Sequence, residues 1–191
     1  MKKVWLLTLA AGLAAMLLGQ EFKLGSKVDD FTIYDTTGKP VQFKSLKGNV
    51  TVIMFIATQC PISNDYNERM KAIYNDYAPK GVKFVAINSN HTEPAEEVEQ
   101  HRIKNGFQFA VYKDPDNKIA DRFAAQVTPE VFVLDKNGVI QYHGYIDDSR
   151  KGEVKHQGLR LALDAILAGR APERAETKAF GCTIKRVKKA T

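Results

Sequence analysis

Residues 50–57, with the sequence VTVIMFIA, form a continuous run of β-branched, aliphatic and aromatic side chains. A strand with one solvated face would alternate apolar and polar residues, and this run does not alternate. It is therefore predicted to be a central strand covered on both faces, as in a parallel sheet. Cys60 and Pro61 follow closely and precede a helical pattern, so the strand is predicted to lead directly into a helix.

The remaining pattern alternates strands and helices. Apolar residues recur at helical spacing over residues 61–77. Further strands are predicted at residues 31–34, 41–43, 82–87, 109–112, 130–134 and 139–145, and further helices at residues 93–105, 117–125 and 159–167. This order predicts an α/β sandwich of one mixed sheet with helices on both faces and an N-terminal β-hairpin. The last two strands are predicted to form an antiparallel edge, because residues 135–138 (DKNG) indicate a hairpin.

The length of 191 residues suits one domain with appendages. Residues 1–20 are predicted to be a secretory signal peptide, because Lys2 and Lys3 precede an uncharged run of about 15 residues, too short to span a membrane. An uncleaved N-terminal anchor is the alternative. Residues 21–168 are predicted to form the domain, and residues 169–191 a C-terminal tail that carries Cys182.

The charge pattern gives no indication of a nucleic-acid partner. The formal net charge is +6, but much of the excess lies in the predicted signal and at the C-terminus, where Lys185, Arg186, Lys188 and Lys189 are found. The body of the domain is nearly neutral, so no nucleic-acid face is predicted. Contact with a membrane is predicted only through an uncleaved N-terminus.

Cys60 is predicted to be a reactive thiol because it opens a helix. Free N–H groups and the helix dipole stabilise an anion at a helix N-terminus, which lowers the pKa of a thiol there. Pro61 suits the first helical turn, and the amide or hydroxyl of Ser63 is predicted to donate to the Cys60 sulfur. The alternative is an inert, buried structural cysteine.

Residues 22–168 resemble the thioredoxin-fold redoxins of the AhpC/TSA and TlpA-like superfamily. The matching segments are residues 31–38 (FTIYDTTG), 46–48 (LKG), the strand that leads to Cys60 and Pro61, and residues 127–129 (VTP). The resemblance implies a thioredoxin-like three-layer sandwich. It also implies a cis bond between Thr128 and Pro129 that faces the sulfur and pairs with an extended substrate. Gln59, Pro61, Thr128 and Pro129 are therefore the predicted substrate-binding residues.

Two departures from the family patterns bear on the activity. The thioredoxin pattern Trp-Cys-x-x-Cys is absent, since Gln59 precedes Cys60 and Ser63 replaces the second cysteine. In the peroxiredoxin pattern Pro-x-x-x-Thr-x-x-Cys, Ile53 and Ala57 replace the proline and the threonine. Without that threonine hydroxyl, efficient peroxidase activity is not expected.

The second cysteine, Cys182, lies in residues 179–186 (AFGCTIKR). This segment resembles the Gly-Cys-x-Ile-Lys tail of a subgroup of exported bacterial redoxins, and its apolar residues predict that it docks on the domain. The stretch after the last helix is long enough to bring Cys182 to Cys60. The sequence leaves three alternatives open, namely a redox pair in which Cys182 resolves a mixed disulfide, a permanent staple, or two thiols that never meet.

The acidic pair Asp147 and Asp148 follows the last predicted strand. Because that strand returns towards the Cys60 edge of the sheet, a carboxylate there is predicted to relay protons to a leaving thiol. The alternative is an acidic loop that caps the last helical region. The four histidines have no metal-ligand spacing, so no metal site is predicted.

These observations predict an exported thiol–disulfide oxidoreductase, periplasmic or otherwise extracytoplasmic in a bacterium, with Cys60 as nucleophile and Cys182 as resolving cysteine. Its predicted partners are a disulfide- or sulfenic-acid-bearing protein or small thiol, and an upstream thiol reductant, with no cofactor. One alternative is a thiol-dependent peroxidase with antioxidant activity. The other is a non-catalytic module, either disulfide-stapled or copper-handling.

Overall fold

The computed structural model describes residues 21–188, so the predicted signal peptide at residues 1–20 lies outside the described residues. The strands are β1 (Thr32–Tyr34), β2 (Pro40–Gln42), β3 (Val50–Phe55), β4 (Val82–Asn88), β5 (Val111–Lys113), β6 (Val127–Thr128), β7 (Glu130–Leu134), β8 (Ile140–Gly144) and β9 (Cys182–Thr183). The helices are α1 (Pro61–Asp65), α2 (Asn67–Tyr77), α3 (Ala95–Lys104), α4 (Lys118–Arg122) and α5 (Gly158–Leu167). Within residues 21–188, every helix is too short or too polar to cross a membrane.

Seven strands form one mixed sheet in the order β2-β1-β5-β4-β3-β7-β8. β4 pairs in parallel with β3 and with β5, whereas β7 pairs antiparallel with β3 and with β8. The predicted N-terminal hairpin forms one edge, and the predicted antiparallel edge at β7 and β8 is confirmed. A second, two-stranded sheet joins β6 to β9, which brings the tail back onto the domain.

The central strand β3 is buried on both faces, as its uniform apolar sequence predicts. Val52 and Met54 belong to a core that is shared with α2, α3 and α5. Ile53 and Phe55 belong to a second core, which includes α4 and the N-terminal residues Phe22 and Phe31. The sheet is therefore the middle layer of three, in agreement with the predicted sandwich.

The helix predicted at residues 61–77 is in fact two helices that meet at Tyr66. Tyr66 is only 1% exposed, and its hydroxyl lies within hydrogen-bond distance of the carbonyl oxygens of Asp147 and Ser149. Its amide donates to the Ser63 carbonyl over 3.1 Å, which tightens the chain at this point. Burial of one tyrosine thus divides a segment whose apolar spacing predicts a single helix.

The element around residue 120 is also shorter than predicted. The helix expected at residues 117–125 covers only Lys118–Arg122, because Asn117 and Ala124 have φ of 59° and 49°. Left-handed residues cannot continue a right-handed helix, so they limit it at both ends. The strand expected at residues 109–112 lies instead at Val111–Lys113.

Candidate active site

Cys60 is the N-cap residue of α1 and is joined to Cys182 by a disulfide bond, with the two Cα atoms 5.8 Å apart. The structure thus brings together the two cysteines whose pairing the sequence left open. In this oxidised state Cys60 is buried, with 4% of its surface exposed, whereas Cys182 is partly exposed. The bond spans 122 positions of the sequence and ties the tail to the start of the helix.

Ser63 supports the Cys60 sulfur with its backbone amide, which donates to Sγ over 3.2 Å. Its hydroxyl has a different role, because Oγ accepts a hydrogen bond from the Ala57 amide over 3.1 Å. Of the two donors that the sequence suggested, the structure therefore uses the amide. A helix N-cap with an amide directed at the sulfur favours the thiolate form of a reduced Cys60.

The bond between Thr128 and Pro129 is cis, as the resemblance implied. The carbonyl oxygen of Thr128 lies 3.5 Å from the Cys60 sulfur. Thr128 also pairs with Cys182 in the antiparallel register of β6 and β9. The sulfur, the proline turn and the tail strand therefore meet at one place.

The predicted residues on either side of Cys60 lie at the surface. Gln59 is exposed, and its side-chain amide donates to the Glu97 carboxylate over 3.0 Å. Pro61 is exposed and occupies the first helical position of α1. Both residues are therefore accessible to solvent beside the buried cysteine, and their role in substrate binding stays a prediction.

A buried carboxylate that the sequence analysis missed positions the turn before Cys60. Glu93 is 2% exposed and accepts hydrogen bonds from the amides of Thr58 and Gln59, over 2.8 Å and 3.1 Å. It also accepts from the side-chain amides of Asn88 and Asn90. Burial raises the pKa of Glu93, but these hydrogen bonds outweigh burial and hold the pKa below its usual value.

Lys113, the last residue of β5, extends this polar cluster. Its ammonium donates to Asn88 Oδ1, to the Asn90 carbonyl and to the Glu93 carbonyl, over 2.5, 3.0 and 2.6 Å. Burial lowers the pKa of Lys113 to about 8. The cluster joins the turn before Cys60 to Asn90, whose Oδ1 accepts a hydrogen bond from the Lys185 amide of the tail over 2.7 Å.

A second missed carboxylate, Glu130, lies next to the cis proline. It is 4% exposed, and its Oε2 accepts from the amides of Gln126 and Val127 over 2.8 Å and 3.1 Å. Its other oxygen lies 2.7 Å from His143 Nε2 on β8. Glu130 therefore fixes β6, the strand to which the tail attaches.

The acidic pair is close to α1 and α2 but does not contact the disulfide. Asp147 Oδ1 accepts from Arg69 over 2.7 Å and from Tyr66 over 3.1 Å. Asp148 accepts from the amides of Lys155 and His156, at the approach to α5. Within residues 21–188, no recorded hydrogen bond joins either carboxylate to a cysteine. The contacts fit the capping alternative for Asp148, and the proton relay stays a prediction.

The site can carry out two-electron thiol chemistry with its own atoms. Two sulfur atoms are within bonding distance, and one of them is placed to leave as a stabilised thiolate. Within residues 21–188, no group of three or more His, Cys, Asp and Glu side chains is arranged to hold a metal ion.

Comparison with known proteins agrees with this chemistry. The AhpC/TSA family profile matches residues 24–143. The thiol-disulfide oxidoreductase ResA of Bacillus anthracis is 27% identical over 121 residues, which cover 63% of this chain and 69% of the relative. A putative chloroplastic peroxiredoxin Q of Oryza sativa subsp. indica is 27% identical over 147 residues, covering 73% of this chain and 65% of the relative.

Solved structures support the same fold. An uncharacterized conserved protein from Geobacillus kaustophilus superposes with a TM-score of 0.82 and 33% identity, over 88% of this chain and 95% of that chain. A putative thiol:disulfide interchange protein DsbE from Chlorobium tepidum superposes with a TM-score of 0.57 and 23% identity, over 64% of this chain and 85% of that chain. At this level of identity, the second likeness concerns the fold alone.

Proposed function

The chain belongs to the AhpC/TSA family, and on that premise we propose that it is a thiol–disulfide oxidoreductase in which Cys60 is the nucleophile and Cys182 resolves. The observation that carries the proposal is the disulfide itself, which places Cys182 on the sulfur at the start of α1. Relatives named thiol-disulfide oxidoreductase support the reaction class.

The reaction begins with both cysteines reduced. The Cys60 thiolate attacks one sulfur of a substrate disulfide, forms a mixed disulfide and releases the other substrate sulfur as a thiolate. The Cys182 thiolate then attacks the Cys60 sulfur, which closes the intramolecular bond and releases the second substrate thiol. The substrate has gained two electrons from the two cysteines. An upstream thiol reductant then supplies two electrons to the Cys60–Cys182 bond and restores both thiols. With a sulfenic acid as substrate, the first attack releases water in place of a thiol.

The residues around the sulfur supply orientation and charge stabilisation. The Ser63 amide stabilises the Cys60 thiolate whenever it forms or leaves. Thr128 and Pro129 present a backbone edge to an extended partner, and the exposed Gln59 and Pro61 border the same approach. Glu93 acts as a positioning residue, since it holds the turn that carries Gln59 into Cys60.

Reduction of a protein disulfide such as that of insulin tests the proposal. Cys60→Ser should abolish the reaction, because it removes the attacking sulfur. Cys182→Ser should stop turnover but accumulate a mixed disulfide with the substrate, which mass spectrometry detects. Thr183→Ala changes an exposed neighbour and serves as the control. Full activity in Cys60→Ser would remove Cys60 from the mechanism and overturn the proposal.

Peroxide reduction is a second candidate, which the likeness to a putative peroxiredoxin Q favours. Ala57 opposes it, because an alanine offers no hydroxyl to the bound peroxide. We expect slow peroxide consumption that depends on Cys60. Consumption as fast as disulfide reduction would make the peroxidase the principal function.

Export through residues 1–20 is part of the proposal. It matters for the chemistry because two thiols outside the cytoplasm meet an oxidising environment. The N-terminal sequence of the protein recovered from a bacterial periplasm tests it. A chain that begins near residue 20 agrees with a cleaved signal, and one that begins at residue 1 in a membrane fraction agrees with the anchor.

A further inference from the structure

The tail strand β9 bonds to the Cys60 sulfur through Cys182, and a protein substrate must bring its own cysteine to the same sulfur. A mixed disulfide replaces Cys182 by a substrate cysteine and leaves the rest of the bond unchanged. We propose that this site accepts an extended protein segment with glycine before its reactive cysteine and a large aliphatic residue two positions after it, as in the tail sequence Gly181-Cys-Thr-Ile184. This inference rests on the proposed function, since it names the substrate class of the same site.

The glycine requirement follows from a close backbone approach. A Cβ atom added at Gly181 would overlap the Thr128 carbonyl oxygen and lie 2.6 Å from the Thr128 carbonyl carbon. Those atoms belong to the backbone beside the cis proline, so they cannot move aside as a flexible side chain can. Gly181 has no left-handed φ, so the constraint is space and not backbone conformation. A substrate in this register therefore needs glycine before its cysteine.

The aliphatic requirement follows from unequal burial of the next two positions. Thr183 is exposed, so the site does not discriminate between side chains directly after the cysteine. Ile184 is 3% exposed and belongs to the core that includes α4 and the N-terminal residues. Its amide donates to the Gln126 carbonyl over 2.9 Å, which fixes the register. A polar side chain at this position would be buried without a partner.

The contacts beyond Ile184 bind mainly the backbone. The Lys185 amide donates to Asn90 Oδ1, and the Lys185 carbonyl accepts from the His91 amide over 2.9 Å. The Arg186 side chain donates to Asp121 Oδ1 over 2.9 Å and to the Ala125 carbonyl. The partner must therefore be extended over several residues, which a flexible segment or an unfolded protein provides and a helix does not. A basic residue four positions after the cysteine should improve binding.

The test uses the full chain with Cys182→Ser and synthetic peptides, so that the protein stays constant. The parent peptide is Ala-Phe-Gly-Cys-Thr-Ile-Lys-Arg, with its cysteine linked by a disulfide to thionitrobenzoate. The Cys60 thiolate attacks the peptide sulfur and forms the Cys60–peptide bond. Thionitrobenzoate leaves with the electron pair and is measured by its colour.

Three altered peptides carry the comparison. Replacing glycine by alanine, or isoleucine by asparagine, should lower the second-order rate by about tenfold or more, since about 1.4 kcal/mol of lost binding corresponds to that factor. Replacing threonine by alanine is the matched control and should change the rate by less than about twofold, because that position faces solvent. Equal rates for all four peptides would overturn the inference.

A variant of the tail supplies a second measurement. Adding Ile184→Asn to Cys182→Ser should release the competing tail and raise the rate with the parent peptide, whereas adding Thr183→Ala should not. An unchanged rate in a folded Ile184→Asn protein would also contradict the inference. The symmetric nitrobenzoate disulfide, which carries no peptide, tests the reactivity of Cys60 separately from its preference for a peptide sequence. If Cys60 fails to react even with this small reagent after tail release, the proposed function itself is wrong.

Discussion

At the scale of single residues, the two donors of Ser63 have separate tasks. Its amide points at the Cys60 sulfur, and its hydroxyl accepts from the buried Ala57 amide. Ser63→Ala removes only the second interaction, so we expect a loss of about 1–3 kcal/mol in the free energy of unfolding. The pKa of the Cys60 thiol should stay unchanged.

Urea unfolding and a titration of thiolate absorbance, both in a Cys182→Ser background, measure the two effects separately. A raised Cys60 pKa in Ser63→Ala would show that the hydroxyl, and not the amide, stabilises the thiolate.

Glu93 leads to a prediction about pH. Its folded-state pKa lies below the usual 4.5, so the folded protein binds this proton less tightly than the unfolded chain. The stabilising contribution is therefore complete above about pH 4.5 and is lost as the pH falls through the folded-state pKa. Glu93→Gln should lower the free energy of unfolding at neutral pH by about 2–4 kcal/mol, because an amide cannot accept all four hydrogen bonds.

Denaturant unfolding as a function of pH provides the check. The difference between wild type and Glu93→Gln should shrink below pH 4.5, while the exposed Glu96→Gln should behave like wild type. A difference that stays constant with pH would mean that the charge of Glu93 contributes nothing.

The sequence was sufficient to predict Cys60 at a helix start, a Ser63 contact to its sulfur and the cis bond before Pro129, because these signals are local or belong to a family pattern. It was not sufficient for Glu93 and Glu130, which are tied to backbone amides. Glu93 binds the amide of Thr58, 35 positions away, and an amide carries no sequence signature. A buried carboxylate of this kind becomes visible only when the fold is known.

At the scale of elements, the segment before β9 passes unusually close to β8. The Ala175 carbonyl accepts from the His143 amide, and the Thr177 amide donates to the His143 carbonyl. Gly144 permits this approach, with φ of 151° and no Cβ. A Cβ there would overlap Thr177 Oγ1 and lie 2.5 Å from the Thr177 carbonyl oxygen.

Gly144→Ala should therefore destabilise the protein by about 2–4 kcal/mol and loosen the tail. Thermal unfolding and hydrogen exchange at the tail amides measure these effects. Gly152→Ala, in an exposed loop without left-handed φ, is the matched control and should change stability by less than about 0.5 kcal/mol. Equal effects of the two substitutions would contradict the role given to Gly144.

Elements with a clear hydrophobic or turn pattern were predicted well. Features that depend on contacts between residues distant in the sequence were not. The apolar run of β3 and the hairpin of β7 and β8 agree with the structure. The break at Tyr66 arises from hydrogen bonds to residues more than 80 positions away. The strand β9 has only two residues and exists because β6 lies beside it, so its own sequence could not indicate it.

At the scale of the whole molecule, one covalent bond closes a loop across the domain. The Cys60–Cys182 bond spans 122 positions, and chain-entropy arguments assign such a loop about 4–5 kcal/mol of stabilisation. We expect the reduced protein to be less stable by up to about this amount but still folded, because most residues of both cores lie outside the tail.

Urea unfolding with and without a thiol reductant measures the difference, and the Cys182→Ser variant should match the reduced protein. An unfolded reduced protein would mean that the bond is required for the fold, which is inconsistent with a working redox pair.

The fold class was predictable because the order of strands and helices leaves few arrangements of a mixed sheet. The pairing of the tail with β6 was not predictable, since chain length allows many positions for a C-terminal segment. The three-dimensional meeting of β6, β9 and α1 excludes the alternative in which the two thiols never meet.

We expect the unequal exposure of the two cysteines to decide which of them each redox partner attacks. In the closed form an incoming reductant meets Cys182, because Cys60 lies beneath the tail. Once that bond opens, the oxidant meets Cys60 instead. The reductant and the oxidant thus attack different cysteines. Substitutions that alter the recognition of one partner can therefore leave the recognition of the other unchanged.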